Sequence, residues 1–399
     1  MSRTFWIIAL IAFINSLSFT ILIPTIYLYG RQFGLNDFQT SLLFATYSVA
    51  QFFATPVIGK LADRFGRKPL LVISLAGTVV ANLIAGLAPF AWVLFAARFL
   101  DGITGGNASV AQAVISDVTD PANRAKGFGI FGAAFGLGFV MGPVISLLAQ
   151  KISLGASFLA SSGIALIAFV LTIALLPETL PRRSPEPHNL FDIGLGNLVT
   201  GLFMPRIGIL LIINFLIGTT FTIFTYAFQP YFVYVLGQNS QALTLMFILF
   251  GTVGLVMQAK VLPFLNRKFS LNRVFFAALL VRSFSFILMP LWASMPYFVG
   301  VSVVFSILNP LVQPIVNTLI SLNARSEDQG MAMGLNSSYL SVSNAVGPVI
   351  AGMVVHSDRP LTYSYPLYLA GGLTFLVLLL AINTRAQYAI PQSHPSDVS

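Results

Sequence analysis

The chain has 399 residues, of which 56% are hydrophobic and 8% are charged. Soluble globular domains carry about 25% charged residues, so this composition excludes that class and indicates a membrane protein. The net charge of +9 does not predict a nucleic-acid partner, because the excess lies in short segments between apolar runs.

Apolar stretches long enough to cross a bilayer recur along almost the whole chain. A hydrocarbon core of roughly 30 Å needs about 20 helical residues, whereas barrel strands alternate polar and apolar positions over about ten. The first run is longer than a signal-peptide core and shows no cleavage site, so we expect a retained helix. The sequence therefore predicts twelve membrane-spanning helices, near residues 5–29, 39–59, 69–88, 91–116, 126–149, 155–176, 207–232, 241–263, 272–294, 297–320, 330–355 and 362–383.

The basic residues are unevenly distributed between the two ends of these helices. If the N-terminus is cytoplasmic, 16 of the 21 Lys and Arg lie on the cytoplasmic face. The opposite face has Arg31, Lys151 and Arg359, while Arg98 and Arg282 lie within helices. By the positive-inside rule, the sequence predicts that both termini lie in the cytoplasm. We expect a multi-pass protein of the plasma (inner) membrane.

A dense block of charge and glycine lies between the second and third spans. It reads GKLADRFGRK over residues 59–68, and we expect a short loop there. Asp63 can accept hydrogen bonds from Arg67 or from helix N-termini across the half. Topology alone would explain the basic residues but needs no aspartate, so we favour a gating role for Asp63. The candidate gating residues are Gly59, Asp63, Arg64, Gly66, Arg67 and Lys68.

The fourth span contains two opposite charges, in the segment RFLDGITGG at 98–106. Arg98 and Asp101 are three residues apart and therefore share a helical face. A charge at the centre of a membrane helix costs about 3 kcal/mol or more unless it is paired or hydrated, so such residues are candidates for function. Asp101 is the one acid predicted deep within a helix. We interpret it as the proton-coupling residue with Arg98 as its partner; the alternative is a structural salt bridge.

The fifth span carries a glycine pattern that ends in proline: Gly129, Gly138, Gly142 and Pro143. Glycines let a neighbouring helix approach closely, and a Gly-Pro step bends a helix. Ordinary small-residue packing is the alternative to a functional role, because Gly-Pro recurs in the eleventh span.

The chain also contains an internal repeat. Residues 115–145 and 320–350 align without a gap, and Gly142-Pro143-Val-Ile matches Gly347-Pro348-Val-Ile. A six-plus-six repeat places a substrate site between the halves near the membrane midplane. We predict a first half at 1–177, a cytoplasmic linker at 178–205, a second half at 206–384 and a cytoplasmic tail at 385–399.

Polar residues within the apolar helices are candidates for a substrate cavity, although each could instead form hydrogen bonds between helices. Gln313 and Asn317, for example, are four residues apart and share a face. The 36 phenylalanines are compatible with an aromatic-lined pocket for a bulky apolar ligand. The candidate cavity residues are Asn15, Gln112, Asn214, Tyr226, Gln313, Asn317, Tyr339 and Ser343.

We expect no metal site, no cofactor and no enzymatic activity. The chain has no cysteine, which excludes disulfides and thiolate metal sites. Its three histidines, His188, His356 and His394, lie in predicted loops or the tail. The sequence also offers no nucleophile–base pair, phosphate loop or ATP-binding domain. Energy must therefore come from an ion gradient or from the gradient of the substrate.

These motifs resemble those of the major facilitator superfamily. The block at 59–68 is similar, position for position, to the superfamily's loop between its second and third helices. Arg98 to Gly102 resembles its R-x-x-x-G motif, which implies a buried Arg near the site and the proton route. The pattern at 129–143 resembles the antiporter motif, a marker of export, and Pro177-Glu178-Thr179 resembles the family's ending of helix six. The drug:proton antiporters, and among them the tetracycline-efflux subgroup, are the most similar branch.

The resemblance implies an all-α membrane protein with twelve transmembrane helices in two six-helix pseudo-symmetric halves. Two positions depart from the family pattern. Ser146 and Leu147 stand where the antiporter motif ends in glycines, and Asn15 stands where the first helix often has an Asp. Since Asn does not titrate, either Asp101 has taken over the role of that acid, or coupling is weak or absent.

The leading interpretation is a secondary active transporter that exports a hydrophobic small molecule or drug by proton-coupled alternating access. One alternative is an uncoupled exporter of a metabolite or lipid-like amphiphile, and another is a non-transporting membrane sensor on the same fold. The expected partners are the substrate, protons and the lipid bilayer, without nucleic acid. We expect a monomer.

Overall fold

The structure is a computed structural model that describes residues 2–180, 195–324, 329–356 and 358–388. Every regular element in these ranges is a helix, which confirms the predicted all-α class. The centre of the predicted linker, 181–194, and most of the predicted tail, 389–399, lie outside the described residues, together with His188 and His394.

The first half begins with a helix that is followed by one short turn of helix. The second long helix starts at a capping box, in which the Asn36 side chain accepts a hydrogen bond from the Gln39 backbone N–H at 2.8 Å. Such caps satisfy amide groups that the helix itself leaves unpaired. The helices are α1 (Arg3–Leu22), α2 (Ile26–Gln32), α3 (Asp37–Phe65), α4 (Arg67–Gly86), α5 (Ala91–Ile103), α6 (Asn107–Val118), α7 (Pro121–Ala149) and α8 (Leu154–Leu175).

The second half follows a short helix that the sequence did not predict, α9, which lies within the predicted linker. Two long helices continue into π-helical segments, Tyr231–Val235 and Met257–Val261, and a 3-10 turn at Pro360–Ser364 precedes the last span. The helices are α9 (Leu195–Leu202), α10 (Ile207–Pro230), α11 (Ser240–Val256), α12 (Leu262–Lys268), α13 (Leu271–Leu288), α14 (Met295–Asn323), α15 (Gln329–Val354), α16 (Tyr365–Asn383) and α17 (Arg385–Tyr388).

Within the described residues, ten helices are long and apolar enough to cross a membrane. The other two predicted spans are the fourth and the eleventh. The fourth is divided into α5 and α6. The eleventh, α15, is long but carries Ser and Asn residues between Asn336 and Asn344. Large apolar side chains such as Ile73, Phe99 and Leu376 are more than half exposed on the outer surface. An apolar surface of this extent fits a bilayer and not water.

The two halves use the same set of helix contacts. In the first half α1 packs on α7 and α8, α4 packs on α8, and α3 packs on α5. In the second half α10 packs on α15 and α16, α13 packs on α16, and α11 packs on α14. Because each pair occupies the corresponding place in the predicted repeat, the fold is two pseudo-symmetric six-span halves, as the sequence predicts.

The two main helix pairs that join the halves are α3 with α15 and α7 with α11, and α2 also contacts α10. A Cβ on Gly251 of α11 would lie 2.6 Å from the carbonyl oxygen of Phe139 on α7, so only glycine permits this approach.

Candidate functional site

The charged block at 59–68 is mostly helical, which corrects the predicted loop. α3 continues to Phe65, and only Gly66, with φ of 113°, separates it from α4. A left-handed φ of this size favours glycine. The chain therefore reverses at one residue because Gly66 can adopt this conformation. Asp63 and Arg64 consequently stand on the last turn of α3, and Arg67 and Lys68 on the first turn of α4.

Arg67 connects three helices at this end of the first half. Its guanidinium lies 2.6 Å from the Asp63 carboxylate on α3 and 3.2 Å from the Asp117 carboxylate on α6. The Lys68 ammonium donates to the carbonyl oxygen of Ile173 on α8 at 2.8 Å. Asp63 thus contacts Arg67, as one of the two predicted arrangements requires. Its gating role stays a prediction.

Glu178 occupies the N-terminus of α4 from a distant part of the sequence. Its carboxylate accepts hydrogen bonds from the backbone N–H groups of Arg67 at 2.9 Å and Lys68 at 3.2 Å. Burial disfavours its charged form, but hydrogen bonds from the N–H groups of Leu180, Arg67, Thr179 and Lys68 outweigh burial and lower the pKa of the Glu178 carboxyl. The Pro-Glu-Thr segment therefore fixes the start of α4.

Arg98 and Asp101 form a buried ion pair on α5. The Arg98 Nη1 and Asp101 Oδ2 atoms are 2.9 Å apart, and each residue is only 6% exposed. The Arg98 guanidinium also lies 4.2 Å from the ring centroid of Tyr47 on α3, and the Thr78 side chain on α4 is a second hydrogen-bond partner of Asp101. The carboxylate is thus held by groups from two helices, in an environment where charge is costly if unpaired.

The fourth span breaks directly after this pair. The break is short, from Thr104 to Gly106. The Gln51 amide of α3 donates to the carbonyl oxygen of Gly105 at 2.9 Å and so satisfies one group that the break exposes. Asn107, the first residue of α6, donates from its side chain to Asn15 Oδ1 on α1 at 2.9 Å.

A small pocket lies on the α1 side of this break. It is lined by Asn15 and Asn107 and by apolar residues that include Leu75, Phe131 and Phe135. Gln112, five residues further along α6, is exposed. Asn15 and Gln112 therefore do not belong to one compact cluster in this arrangement, and their common role in a cavity stays a prediction.

The glycine motif of α7 packs against α1. A Cβ on Gly138 would collide with Ser16, and one on Gly142 would collide with Thr20, whereas a Cβ on Gly129 would meet open space. Pro143 lies inside α7 without ending the helix. These contacts favour the packing interpretation for Gly138 and Gly142 in the described arrangement.

Four amide side chains form a hydrogen-bonded cluster in the second half. Gln313 donates to Asn214 and to Asn317, each at 3.1 Å, and Asn336 donates to Asn317 at 2.9 Å. Asn214 also donates to Asn336. The cluster links α10, α14 and α15, and it leaves Gln313 and Asn317 partly exposed while Asn214 and Asn336 are buried. Three of the predicted cavity residues are therefore brought together.

The other three predicted cavity residues of this half lie apart. Ser343 is buried between α15 and α10, where it donates to the carbonyl oxygen of Phe215 at 2.8 Å. Tyr339 donates to the carbonyl oxygen of Leu198 on α9 at 2.8 Å. Tyr226 is fully buried at the contact between the halves. Their contribution to a substrate cavity stays a prediction.

The phenylalanines of the second half are packed together. Phe224 has its ring centroid 4.7 Å from that of Phe286 and 4.8 Å from that of Phe305, and all three are buried. This aromatic cluster fills the core between α10, α13 and α14. In this arrangement these three rings form core and do not line an open aromatic pocket.

Arg282 is bound by groups of the protein itself. Its Nη2 atom donates to the carbonyl oxygen of Ile217 at 2.7 Å and to the Thr220 hydroxyl at 2.9 Å. The guanidinium carbon lies 5.5 Å and 5.4 Å from the ring centroids of Phe221 and Phe286. A backbone carbonyl, a hydroxyl and two aromatic rings of the second half thus surround this guanidinium.

Asp37 is a buried acid that the sequence patterns do not predict. It precedes the predicted second span, 39–59, yet only 2% of it is exposed, because Tyr27 and Tyr226 cover it. The capping pattern at Asn36 predicts a helix start, but no local signal predicts that an acid beside it is covered by the other half.

Ser146 also has contacts that the sequence did not predict. It stands where the antiporter motif usually has glycine. Its hydroxyl lies 2.9 Å from the Thr25 hydroxyl and 3.1 Å from the Gln150 side-chain nitrogen. Gln150 in turn donates to the Thr244 hydroxyl on α11 at 2.9 Å, which joins the two halves. The departure from glycine thus adds a polar contact at this point.

Known proteins resemble this chain over nearly all its length. The tetracycline resistance protein, class C, of Escherichia coli is 27% identical over 356 residues, which is 86% of this chain and 87% of that protein. Multidrug resistance protein 1 of Bacillus subtilis (strain 168) is 27% identical and covers 94% of each chain. The crystal structure of the human organic anion transporter MFSD10 (TETRAN) superposes with a TM-score of 0.73 at 20% identity, over 95% of this chain and 100% of that one.

The resemblance predicted from the motifs is confirmed, including its tetracycline-resistance branch. The family model described as Major Facilitator Superfamily matches residues 8–259 and residues 210–396. The chain belongs to the major facilitator superfamily and is a multi-pass membrane protein of that fold.

Proposed function

We propose that this protein is a secondary active transporter that exports hydrophobic small molecules in exchange for protons. The resistance proteins to which it is similar are named for tetracycline and for multiple drugs, and this supports a drug-like substrate. The observation that carries the coupling is the buried Arg98–Asp101 pair on the broken fourth span. A carboxylate held in an apolar region by a nearby cation is a group whose protonation can follow a change in its surroundings.

In the proposed cycle the two halves, 1–177 and 206–384, rock against each other, and a central site opens alternately to the two sides of the membrane. When Asp101 lies against Arg98, the nearby cation favours the ionised carboxylate. When the pair separates as the halves rock, a less polar environment favours proton uptake. Proton binding thereby shifts the balance of conformations, which is what links a proton gradient to movement of a substrate. The amide cluster of Gln313 and Asn317, together with Asn15 on the other side, is the proposed polar part of the central cavity.

The proposed location is the plasma (inner) membrane, with both termini in the cytoplasm. The basic residues at that face support this orientation through the positive-inside rule. The functional unit is proposed to be a monomer that binds a small molecule and protons within the bilayer and performs no enzymatic reaction. Gating is assigned to Asp63 and Arg67, which form the ion pair at the α3–α4 turn.

One observation favours a second candidate, an uncoupled exporter. Asn15 does not titrate, and it uses its side-chain oxygen to accept a hydrogen bond from Asn107. If the acid that relatives often carry at this position is needed for coupling, the present chain would move its substrate down a gradient only.

Proton flux in proteoliposomes separates these candidates. Purified protein is reconstituted with a pH-sensitive dye inside the vesicles, and tetracycline and a panel of hydrophobic cations and neutral drugs are added in turn. Coupled antiport predicts that addition of a substrate changes internal pH, with a matched preparation of Asp101→Asn as the control. Substrate movement without a pH change would support the uncoupled exporter, and absence of any movement would support a non-transporting role.

A further inference from the structure

A buried carboxylate lies where the two halves meet at the predicted extracellular end. Asp37 is the first residue of α3 and is 2% exposed. The Tyr27 hydroxyl donates to its Oδ1 atom, the Tyr363 hydroxyl donates to its Oδ2 atom at 3.3 Å, and an Arg31 nitrogen lies 3.9 Å from the same oxygen. The two hydroxyls donate hydrogen bonds and the guanidinium carries the opposite charge, and a carboxylate accepts hydrogen bonds from groups of both kinds.

The partners of this carboxylate come from both halves. Tyr27 and Arg31 belong to α2 in the first half, whereas Tyr363 lies in the 3-10 turn before α16 in the second. The Tyr226 hydroxyl of α10 donates to the backbone carbonyl of Asp37, and the Arg31 Nε atom donates to the Tyr234 hydroxyl at 3.2 Å. Asp37 and Arg31 therefore join α2 and α3 to three elements of the other half.

α15 and the segment that follows it also lie near Asp37. α15 packs along α3 here through Gly352, whose added Cβ would lie 3.2 Å from the Asp37 carbonyl oxygen. In the exposed segment after α15, Asp358 lies 3.7 Å from Arg359 and both are 76% exposed. The backbone N–H of His356 donates to Thr362 at 2.9 Å. Within the part of the chain that the structure describes, Arg31 is thus a charged group that lies 3.9 Å from the Asp37 carboxylate.

We propose that Asp37 is a second proton-binding site of the transport cycle, reached from the extracellular solution. This proposal rests on the proposed antiport function and concerns a different carboxyl from Asp101. As a carboxylate, Asp37 holds the extracellular ends of the two halves together through Tyr363 and Arg31. When those ends separate, a proton from the outside binds to a carboxyl oxygen and leaves to the same solution before the ends close.

The chemical reason is the change in hydrogen bonding on protonation. A protonated Asp37 turns one acceptor oxygen into a donor, so it loses one of the two tyrosine hydrogen bonds and its attraction to Arg31. Returning it to the interface would then leave polar groups unpaired in a buried place. Acidity outside thus lengthens the time that the transporter stays open to the outside, the state in which protons enter.

The same interface supplies a matched control without a titratable group. Gln150, the residue that follows α7, donates to the Thr244 hydroxyl of α11 at 2.9 Å. Because neither side chain changes charge with pH, loss of this contact should weaken the closed arrangement equally at every pH. Thr244→Val is the corresponding variant, since valine keeps the shape and removes the hydroxyl.

The distance between the extracellular ends tests the proposal. The chain has no cysteine, so spin labels can be attached to Ile152→Cys in the first half and Trp292→Cys in the second, two positions that are 84% and 69% exposed. Pulsed electron paramagnetic resonance then measures the distance in lipid nanodiscs as the pH is lowered. We expect a shift to longer distances on acidification. In Asp37→Asn this shift should be lost, with the longer distances present at all pH values.

The control variant and the outcomes separate this proposal from the transport function. Thr244→Val should show longer distances at every pH but keep the acid-induced shift. If Asp37→Asn does not fold, Tyr363→Phe replaces it, and the shift should then occur at higher pH because the carboxylate has lost a donor. An acid-induced shift that is the same in these variants and in the parent, or no shift in the parent, would overturn the proposal. The distance measurements need no substrate. A failure of drug-driven proton flux would therefore contradict the proposed transport function and not the proposed role of Asp37.

Discussion

The Thr20 hydroxyl on α1 donates a hydrogen bond to the carbonyl oxygen of Gly138 on α7 at 2.7 Å. The second half repeats this relationship, because the Thr222 hydroxyl on α10 donates to the carbonyl oxygen of Ser343 on α15 at 2.9 Å. Gly138 and Ser343 occupy matching positions of the internal repeat. The pseudo-symmetry of the fold therefore extends to individual side-chain contacts.

Two glycines of the same α7 motif, Gly129 and Gly142, should differ in their effect on stability when each is replaced. A Cβ on Gly142 would collide with Thr20, whereas a Cβ on Gly129 would have no neighbour within 4 Å. Gly142→Ala should therefore destabilise the protein by about 1–3 kcal/mol. Gly129→Ala should be neutral or should stabilise the helix by up to about 1 kcal/mol. Thermal unfolding in detergent measures both.

A double variant tests the cause of that difference. Thr20→Ala shortens the side chain that Gly142→Ala would strike, so the double variant should recover part of the lost stability relative to the two single variants. Equal effects of alanine at Gly129 and Gly142 would contradict the packing interpretation of this motif.

The α3–α4 turn predicts a transport defect without a folding defect. Asp63 lies 2.6 Å from Arg67, and 45% of its side chain is exposed. Asp63→Asn should leave insertion and the melting temperature nearly unchanged, since exposed pairs contribute at most about 1 kcal/mol. It should lower the initial transport rate about tenfold by shifting the balance of conformations. Asp358→Asn, in an exposed pair at the other end of the molecule, is the control and should transport normally. A normal rate in purified Asp63→Asn would remove the gating role.

The Glu178 carboxylate should make a pH-dependent contribution to the stability of the protein. Its folded pKa lies below its ordinary value, so its contribution is present above the unfolded value of about 4.3 and is lost as the pH falls through the folded pKa. Glu178→Gln should therefore be less stable at neutral pH, by about 1 kcal/mol as for other N-terminal caps. The difference in stability between Glu178→Gln and the parent protein should disappear as the pH is lowered. Melting temperatures of both proteins across a pH series check this, and a gap that is independent of pH would contradict it.

Replacement of Arg282 should lower the stability of the protein without changing its substrate preference. Its guanidinium donates to both Ile217 and Thr220 through Nη2 and lies beside two aromatic rings. Lysine cannot reproduce this planar stacked arrangement, so Arg282→Lys should cost about 1–3 kcal/mol. The relative rates for anionic, neutral and cationic substrates should stay the same as in the parent. A selective loss of anionic substrates would instead indicate that Arg282 contacts the substrate.

Sequence patterns predicted the features that depend on local composition. Span positions follow from apolar length, and the contact between Arg98 and Asp101 follows from their spacing. The repeat accounts for a further match, since a Cβ on Gly142 would meet Thr20 and a Cβ on Gly347 would meet Thr222. The break at Thr104 to Gly106 was not predicted, because its cost is offset by Gln51 from another helix. The burial of Asp37 was likewise not predictable, since its cover comes from Tyr226 and Tyr363, which are distant in sequence.

The buried pair on α5 gives the most direct test of coupling. Arg98 and Asp101 are 2.9 Å apart, and Thr78 and Tyr47 surround them. If Asp101 is the coupling site, Asp101→Asn should abolish proton-driven uphill transport, while downhill exchange or substrate binding remains measurable. Uptake into inverted vesicles with and without a proton gradient separates these activities.

A purely structural pair predicts a different pattern for the same residues. Breaking a buried pair by removal of one partner costs about 3–5 kcal/mol, because the other charge is left unpaired. Arg98→Met and Asp101→Asn should then each lower the melting temperature, and the double variant should recover part of the loss. Uphill transport that survives Asp101→Asn with an unchanged pH dependence would exclude Asp101 as the coupling site.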